Sequence, residues 1–186
     1  MNKYSLDSLL LAAIKFASEK HMLQRRKGCE NIPYINHTIK VAYILQETGG
    51  EKNAELLAAA VLHDVLEDTE TTEHEIISLF GENVCHIVKE VTDDMSLTYD
   101  DRKRMQIKKA PTLSNEAKKI KIADKISNIN DIVTTPLNWS NRRKRKYVEW
   151  SQQVINGCRG INPLLDSAFD EIVESANKLL SAEKEN

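Results

Sequence analysis

The stretch Ala58–Thr69, "AAAVLHDVLEDT", begins apolar and ends with four polar side chains. Within residues 54–66, only Glu55, His63 and Asp64 are not apolar. Apolar side chains would therefore cover all sides of a helix, which is typical of the buried centre of an all-α domain. On a helical wheel the four polar residues that end the stretch share one sector about 140° wide. They are His63, Asp64, Glu67 and Asp68.

This polar sector has the composition of a metal site. Burying such groups without compensation costs several kcal/mol each, so they need partners or a cation. The adjacent His63 and Asp64 offer one nitrogen and one oxygen ligand to a divalent metal. Glu67 and Asp68, one turn later, could hold and activate a metal-bound water. The alternative is a helix that reaches the surface at its C-terminal end, with solvated acids.

Two distant residues are candidate partners for this sector. His37, in "PYINHTIKVAYIL", lies near the start of an apolar-faced helix, where it could also be a surface histidine. Asp124 lies in "KKIKIADKISNINDIV", on the polar side of a helix opposite a stripe of β-branched residues. That side could face solvent, although Ile120 intrudes on it. The remaining histidines, His21, His74 and His86, are interpreted as structural or solvated.

Helical periodicity dominates the rest of the chain. The spacing of apolar residues and the positions of glycine and proline predict helices over about 6–17, 36–47, 51–66, 72–80, 82–92, 100–109, 114–133, 140–157 and 163–182. We find no strand alternation, internal repeat or low-complexity tract. The sequence predicts a single all-α domain over residues 1–186, with a core from about 5 to 182 and a frayed tail at 183–186.

Composition excludes several classes of protein. The chain has 186 residues, 41% hydrophobic and 29% charged, with a net charge of -2, so no basic field points to nucleic acid or an anionic membrane. The N-terminus lacks the features of a signal peptide, and no apolar run is long enough to span a bilayer. The three cysteines, Cys29, Cys85 and Cys158, are far apart and are interpreted as reduced thiols. We expect a cytoplasmic protein.

The residues above form part of a larger ordered set. "RRK…PYINH", "VLHDVLEDT", "EVTDD", "RKRMQ", "ADK-x-x-N" and "W…Y-x-E-W" follow one another over residues 16–160. His37, the pair His63-Asp64 and Asp124 reproduce the H…HD…D pattern of HD-domain metal-dependent phosphohydrolases. The ordered set closely resembles the stand-alone small alarmone hydrolases, relatives of the hydrolase domain of RelA/SpoT-type enzymes.

The resemblance implies an all-α HD bundle and a specific chemistry. One Mn²⁺ per chain would be bound by His37, His63, Asp64 and Asp124, with other divalent metals also accepted by such a set. The reaction would be hydrolysis of ppGpp or pppGpp at the 3′ position, which gives GDP or GTP and pyrophosphate. Glu67 and Asp68 match the acidic pair that positions and activates the attacking water.

The resemblance also assigns substrate-binding residues. They are Arg26, Lys27, Tyr34, Asn128, Arg143 and Tyr147. The basic residues at 25–27 could instead complement the end of a helix, and "NRRKRKY" at 141–147 could be a solvated basic face. Two departures from the family pattern, Met95 and Asn130, bear on substrate affinity rather than on the metal set.

Three functions remain to be compared. The first is the ppGpp 3′-pyrophosphohydrolase. We expect a protein with hydrolase activity only, because no synthetase or ACT segment follows in the chain. The second is another nucleotide phosphohydrolase, such as one that removes the 2′-phosphate of NADPH. The third is a catalytically idle module that binds nucleotide. The expected partner is a small nucleotide, with neither nucleic acid nor membrane, and a homo-oligomer is left open.

Overall fold

The computed structural model describes residues 6–182, so the predicted frayed tail at 183–186 lies outside the described residues. The order of elements along the chain matches the predicted all-α domain. The helices are α1 (Leu6–Lys20), α2 (Ile35–Tyr43), α3 (Ala54–Leu62), α4 (Val65–Asp68), α5 (Glu73–Phe80), α6 (Glu82–Val91), α7 (Tyr99–Lys109), α8 (Asn115–Thr134), α9 (Asn141–Asn156) and α10 (Pro163–Ala182). A π-helical turn (Ile44–Thr48) extends α2, and a 3₁₀ turn (Ala110–Thr112) follows α7.

The centre of the bundle is α3, as its composition predicted. Every residue from Leu56 to Leu62 is buried. This helix packs against α1, α2 and α6, while α8 packs against α2, α6, α9 and α10. Because α3 and α8 are both packed against several other helices, the polar side chains on their inward faces, such as Asp124 and Ser127, lie inside the protein rather than in solvent.

The third predicted helix differs from the observed one at both ends. It begins at Ala54 instead of Glu51, because the side chain of Asn53 caps it by accepting the backbone N–H groups of the next turn. It also breaks at His63 and Asp64 before α4 resumes. The Nδ1 atom of His63 lies 2.7 Å from the carbonyl oxygen of Ala60, which would accept the N–H of Asp64 in a continuous helix. Asp64 takes φ -103° and ψ 0° at this break.

A short hairpin was not predicted. Strand β1 (Arg25–Arg26) pairs antiparallel with β2 (Cys29–Pro33), in the segment between the first two predicted helices. Gly28 makes the turn with φ +89°, a backbone conformation that side chains disfavour. A Cβ atom at Gly28 would stand 2.8 Å from Nε1 of Trp139, so the turn also needs glycine for its close approach to the loop before α9. Strand β1 has two residues, which are too few to show the alternation of apolar and polar side chains that indicates a strand in a sequence.

Other predictions about the chain as a whole agree with the structure. Cys85 and Cys158 are free and buried. Among residues 6–182, no helix combines the length and the apolar character needed to cross a membrane. The other predicted helices, from 72–80 to 163–182, match the observed bounds to within one residue at each end.

Candidate metal centre and its cavity

Three buried side chains from three helices converge at the centre of the bundle. His37 on α2, His63 at the end of α3 and Asp124 on α8 each offer one ligand atom, and these atoms lie within 4.8 Å of one another. Nε2 of His37 is 3.1 Å from Oδ1 of Asp124. The sequence placed Asp124 on a polar side that could have faced solvent. Its burial shows that this side of α8 faces the interior.

The fourth predicted ligand, Asp64, lies beside this trio. Its Oδ2 atom is 2.9 Å from Nε2 of His63 and 3.9 Å from Nε2 of His37. The hydroxyl of Tyr34 donates a hydrogen bond of 2.5 Å to the same oxygen. The break between α3 and α4 therefore turns Asp64 toward both imidazole rings.

The far nitrogens of both rings are held by neighbouring groups. Nδ1 of His63 donates to the carbonyl of Ala60, so a neutral ring presents the lone pair of Nε2 to the cluster. Nδ1 of His37 is 3.1 Å from the hydroxyl of Ser127. Supports of this kind fix the orientation of histidines that ligate metals. Ser127 was not singled out in the sequence.

The cluster has one polar atom without a partner. Nε2 of His63 is buried and has no hydrogen-bond partner among the described residues, although Oδ2 of Asp64 lies 2.9 Å away. Two imidazole nitrogens and carboxylate oxygens that face one another in this way form a donor set suited to a divalent transition metal. The residues present therefore fit a metal ion.

Electrostatics make these groups strongly interdependent. In the protein alone, burial lowers the pKa of His63, but the carboxylates of Asp64 and Asp124 outweigh it and raise that pKa to about 9, so the ring gives up a proton to become a metal ligand. Burial also lowers the pKa of His37, and here it prevails over Asp124. The pKa of Asp64 is lowered, because His63 overcomes the effect of burial. Both carboxylates are consequently ionised at neutral pH and available as ligands.

Asp124 has a second partner, Lys125, which was not among the predicted site residues. Lys125 is buried, and its Nζ donates a 2.7 Å hydrogen bond to Oδ2 of Asp124. Despite burial, this ammonium group holds the pKa of Asp124 well below its usual range. Nζ of Lys125 also lies 4.7 Å from the ring centre of Trp150. One oxygen of Asp124 thus faces the lysine while the other faces the histidines.

Glu67 and Asp68 have different surroundings. Glu67 lines the cavity, accepts the backbone N–H of Asp93 at 3.0 Å, and has a pKa raised by burial and by Asp64. Asp68 is exposed and does not line the cavity. Its Oδ2 accepts a hydrogen bond from Gln24, which also contacts Nδ1 of the buried His21.

A cavity of about 230 Å³ opens above the cluster. All six residues that the resemblance assigned to substrate binding line it. They are Arg26, Lys27, Tyr34, Asn128, Arg143 and Tyr147. Further charged and polar residues also contribute to its wall, namely Asp93, Tyr99, Arg102, Lys103, Gln106, Lys121 and Lys125. Trp139 and Trp150, the two tryptophans of the "W…Y-x-E-W" motif, line the cavity as well.

Arg26 is held in place by its neighbours. Its Nη2 atom donates to Asp131 at 2.7 Å and to Asn128 at 2.6 Å. Its guanidinium carbon lies 5.5 Å from the ring centre of Tyr34. Burial lowers the pKa of Arg26, but Asp131 more than compensates and raises it. Arg26 therefore presents a fixed planar surface rather than a mobile charge.

Some of the missed cavity residues had a signal in the sequence. The motif "RKRMQ" at 102–106 contains Arg102, Lys103 and Gln106, which recur at the spacing of one helix face. By contrast, the two departures from the family pattern, Met95 and Asn130, do not line the cavity. Asn130 donates to the hydroxyl of Thr134 on its own helix.

Comparisons with known proteins agree with this geometry. The HD domain family matches residues 13–154. Guanosine-3′,5′-bis(diphosphate) 3′-pyrophosphohydrolase MESH1 of Xenopus tropicalis is 46% identical over 166 residues, which cover 89% of this chain and 93% of that protein. The human protein of the same name is 46% identical over 164 residues, covering 88% and 92%.

A solved structure is also similar. It is described as a metazoan ortholog of SpoT that hydrolyses ppGpp, and it has a TM-score of 0.86 and 41% identity over 90% of this chain and 94% of that chain. Such identity over nearly the whole length of both chains, together with the buried His/His/Asp cluster, establishes the relationship. The chain belongs to the HD-domain family of metal-dependent hydrolases and, within it, to the family of MESH1 proteins.

Proposed function

We propose that the protein hydrolyses guanosine 3′,5′-bis(diphosphate), and its 5′-triphosphate counterpart, at the 3′ position with Mn²⁺ bound. The observation that supports this best is the buried cluster of His37, His63 and Asp124, with Glu67 beside it in a cavity rich in cations. Relatives that carry this activity in their names match about nine-tenths of the chain.

In this proposal His37, His63, Asp64 and Asp124 hold the metal ion. When bound, such an ion would act as a Lewis acid that polarises a phosphoryl oxygen and lowers the pKa of a water molecule. Lys125 and Tyr34 are hydrogen-bonded to the two aspartates and keep their oxygens oriented. Ser127 and the carbonyl of Ala60 do the same for the two imidazole rings.

Glu67 is the group that accepts the proton of the attacking water. Its raised pKa makes it a stronger base than an ordinary glutamate, and the N–H of Asp93 fixes one of its oxygens. We assign Asp68 a supporting catalytic role. It holds Gln24, which in turn holds His21 next to the ring of Tyr34.

The cationic wall of the cavity receives the substrate. Lys27, Arg102 and Lys121 line the cavity, where the phosphates of a 3′-diphosphate would neutralise them. Arg26, fixed by Asp131, offers its guanidinium plane for stacking on the base. Burial raises the pKa of Tyr147 to about 12 against the effect of Lys125, so its hydroxyl remains protonated and can donate a hydrogen bond.

The reaction consumes one water molecule. The water oxygen forms a bond to phosphorus, the bond from that phosphorus to the 3′ oxygen breaks, and the 3′ oxygen leaves with a proton. Starting from ppGpp, the products are GDP and intact pyrophosphate.

Purified protein with Mn²⁺ tests this proposal directly. Incubated with ppGpp, it should release GDP and pyrophosphate, which anion-exchange chromatography separates from orthophosphate. NADPH assayed under the same conditions tests the alternative activity. Release of single orthophosphates from ppGpp, or turnover of NADPH alone, would contradict the proposal.

A further inference from the structure

A second groove continues from the cavity. It measures about 440 Å³ and shares five residues with the cavity wall, namely Tyr99, Lys103, Trp139, Arg143 and Tyr147. Arg142 and Lys146, one turn apart on α9, line the groove but not the cavity. The groove is therefore an extension of the candidate active site, with side chains of its own.

The groove carries an excess of positive charge. Four cationic side chains line it, against the single carboxylate of Asp100. Arg142, Arg143 and Lys146 form no ion pair with any carboxylate among the side chains that the structure describes, which are those of residues 8–28 and 31–182. Neighbouring basic side chains repel one another unless an anion lies between them. The charge balance therefore favours an anionic ligand.

Aromatic rings hold two of these cations in place. The guanidinium carbon of Arg143 lies 4.1 Å from the ring centre of Trp139. Nζ of Lys103 lies 5.1 Å from the ring centre of Tyr99, a side chain that is 60% exposed. Cations packed on aromatic faces in this way lose less entropy when they bind a ligand than freely mobile ones. This distinguishes the groove from an ordinary solvated basic surface.

The groove begins a short distance from the metal cluster. Nζ of Lys103 lies 4.6 Å from the ring centre of Trp150, and Nζ of Lys125 lies 4.7 Å from the same centre. Lys125 in turn contacts Asp124. A single indole thus lies between a groove cation and the lysine that holds a candidate metal ligand, so the groove and the cluster are neighbouring parts of one site.

We propose that this groove binds the phosphate chain on the 5′ carbon of the substrate. The inference rests on the proposed function, which puts the 3′-diphosphate at the metal cluster and so requires another place for the 5′ phosphates. The class of substrate that fits is a nucleoside with phosphate on both sides of the ribose. The groove then increases affinity for that class without taking part in bond cleavage.

The test compares a groove variant with a matched control. Arg142→Ala/Lys146→Ala removes two exposed charges from the groove, and Lys52→Ala/Lys108→Ala removes two exposed charges elsewhere. Both are assayed on ppGpp and on guanosine 3′-diphosphate, which has no 5′ phosphate. For the groove variant, KM for ppGpp should rise about tenfold with kcat unchanged. A rise of this size corresponds to the loss of one charge-assisted hydrogen bond. KM for guanosine 3′-diphosphate should not change.

A binding measurement separates this inference from the proposed function. Calorimetric titration of the wild type and the groove variant with GDP and with guanosine needs no turnover. GDP should bind the variant about tenfold more weakly, and guanosine equally well. If both ligands weaken alike, or neither weakens, the groove does not bind 5′ phosphate. Absence of ppGpp hydrolysis by the wild type would instead overturn the proposed function, while the titration would still decide the inference.

Discussion

Glu67 and Asp68 are adjacent in sequence, yet their carboxylates have different environments. The first is partly buried and lines the cavity, while the second is exposed and bonded to Gln24. The resemblance implied that both residues position and activate the attacking water. The geometry supports a direct role for Glu67 and an indirect one for Asp68, a difference that paired substitutions can measure.

Glu67→Gln should lower kcat for ppGpp by about 100-fold or more, because it removes the carboxylate proposed as general base while preserving its size. Metal content, measured by elemental analysis of the dialysed protein, should remain that of the wild type. Asp68→Asn is the matched control. It should lower kcat less than about tenfold, since only a hydrogen bond at the surface is weakened. Equal losses in the two variants would contradict the division of roles.

At the scale of single residues, the sequence indicated which side chains suit a metal site, but it did not indicate which side chains they contact. His37, His63, Asp64 and Asp124 could be nominated because their residue types in this pattern suit a metal. The pairing of Asp124 with Lys125 could not, since side chains adjacent on a helix ordinarily diverge. They meet here because the buried ammonium group of Lys125 needs an acceptor, and Oδ2 of Asp124 provides one.

Among the elements, the hairpin at residues 25–33 connects the cavity wall to the loop before α9. Its turn carbonyl, from Gly28, accepts the N–H of Asn138 at 3.2 Å. Arg26 on β1 reaches Asn128 and Asp131 on α8. Residues at both edges of the cavity therefore depend on the conformation of one glycine.

Gly28→Ala should raise KM for ppGpp, because the new methyl group would meet Trp139 and the backbone would be strained at φ +89°. Strain of this kind costs about 1–3 kcal/mol, which corresponds to about 5- to 150-fold in affinity if the whole cost falls on substrate binding. Steady-state kinetics measures the effect. Gly81→Ala is the control, since it has φ +92° but open space around it. A Gly81 variant with the same rise in KM would show that general destabilisation is responsible.

The bounds of the helices from residue 72 onward were predictable because glycine, proline and capping residues mark them in the sequence. The break inside residues 51–66 was not predictable. Nothing in "VLHDVL" interrupts helical periodicity, and the break depends on the ring of His63 contacting the carbonyl of Ala60. The two-residue strand β1 was also below what alternation can reveal.

At the scale of the whole molecule, the candidate metal ligands connect several helices of the bundle. Its candidate ligands come from α2, from the junction of α3 with α4, and from α8. In the absence of a cation, the charges of Asp64 and Asp124 are balanced by the histidines and Lys125, with hydrogen bonds from Tyr34 and Asn128. Metal binding should therefore stabilise the fold as well as support the reaction.

Removal of the metal should lower the thermal midpoint of unfolding. A ligand at about 100 times its Kd stabilises the native state by about 2.7 kcal/mol, which for a chain of this length is about 5–10 °C. Differential scanning calorimetry with Mn²⁺ and with a chelator measures the shift. Asp64→Ala, which removes a proposed ligand, should show little response to either. A wild-type midpoint unaffected by the chelator would contradict a metal held at the centre of the bundle.

The single helix α8 carries Asp124, Lys125, Ser127, Asn128 and Asp131, which contact the candidate ligands and the cavity wall. Each residue inserted into or deleted from a helix rotates everything beyond it by about 100°. A change of length before position 124 would turn all five away from the site at once. Over evolution, therefore, this helix can accept substitutions far more readily than insertions.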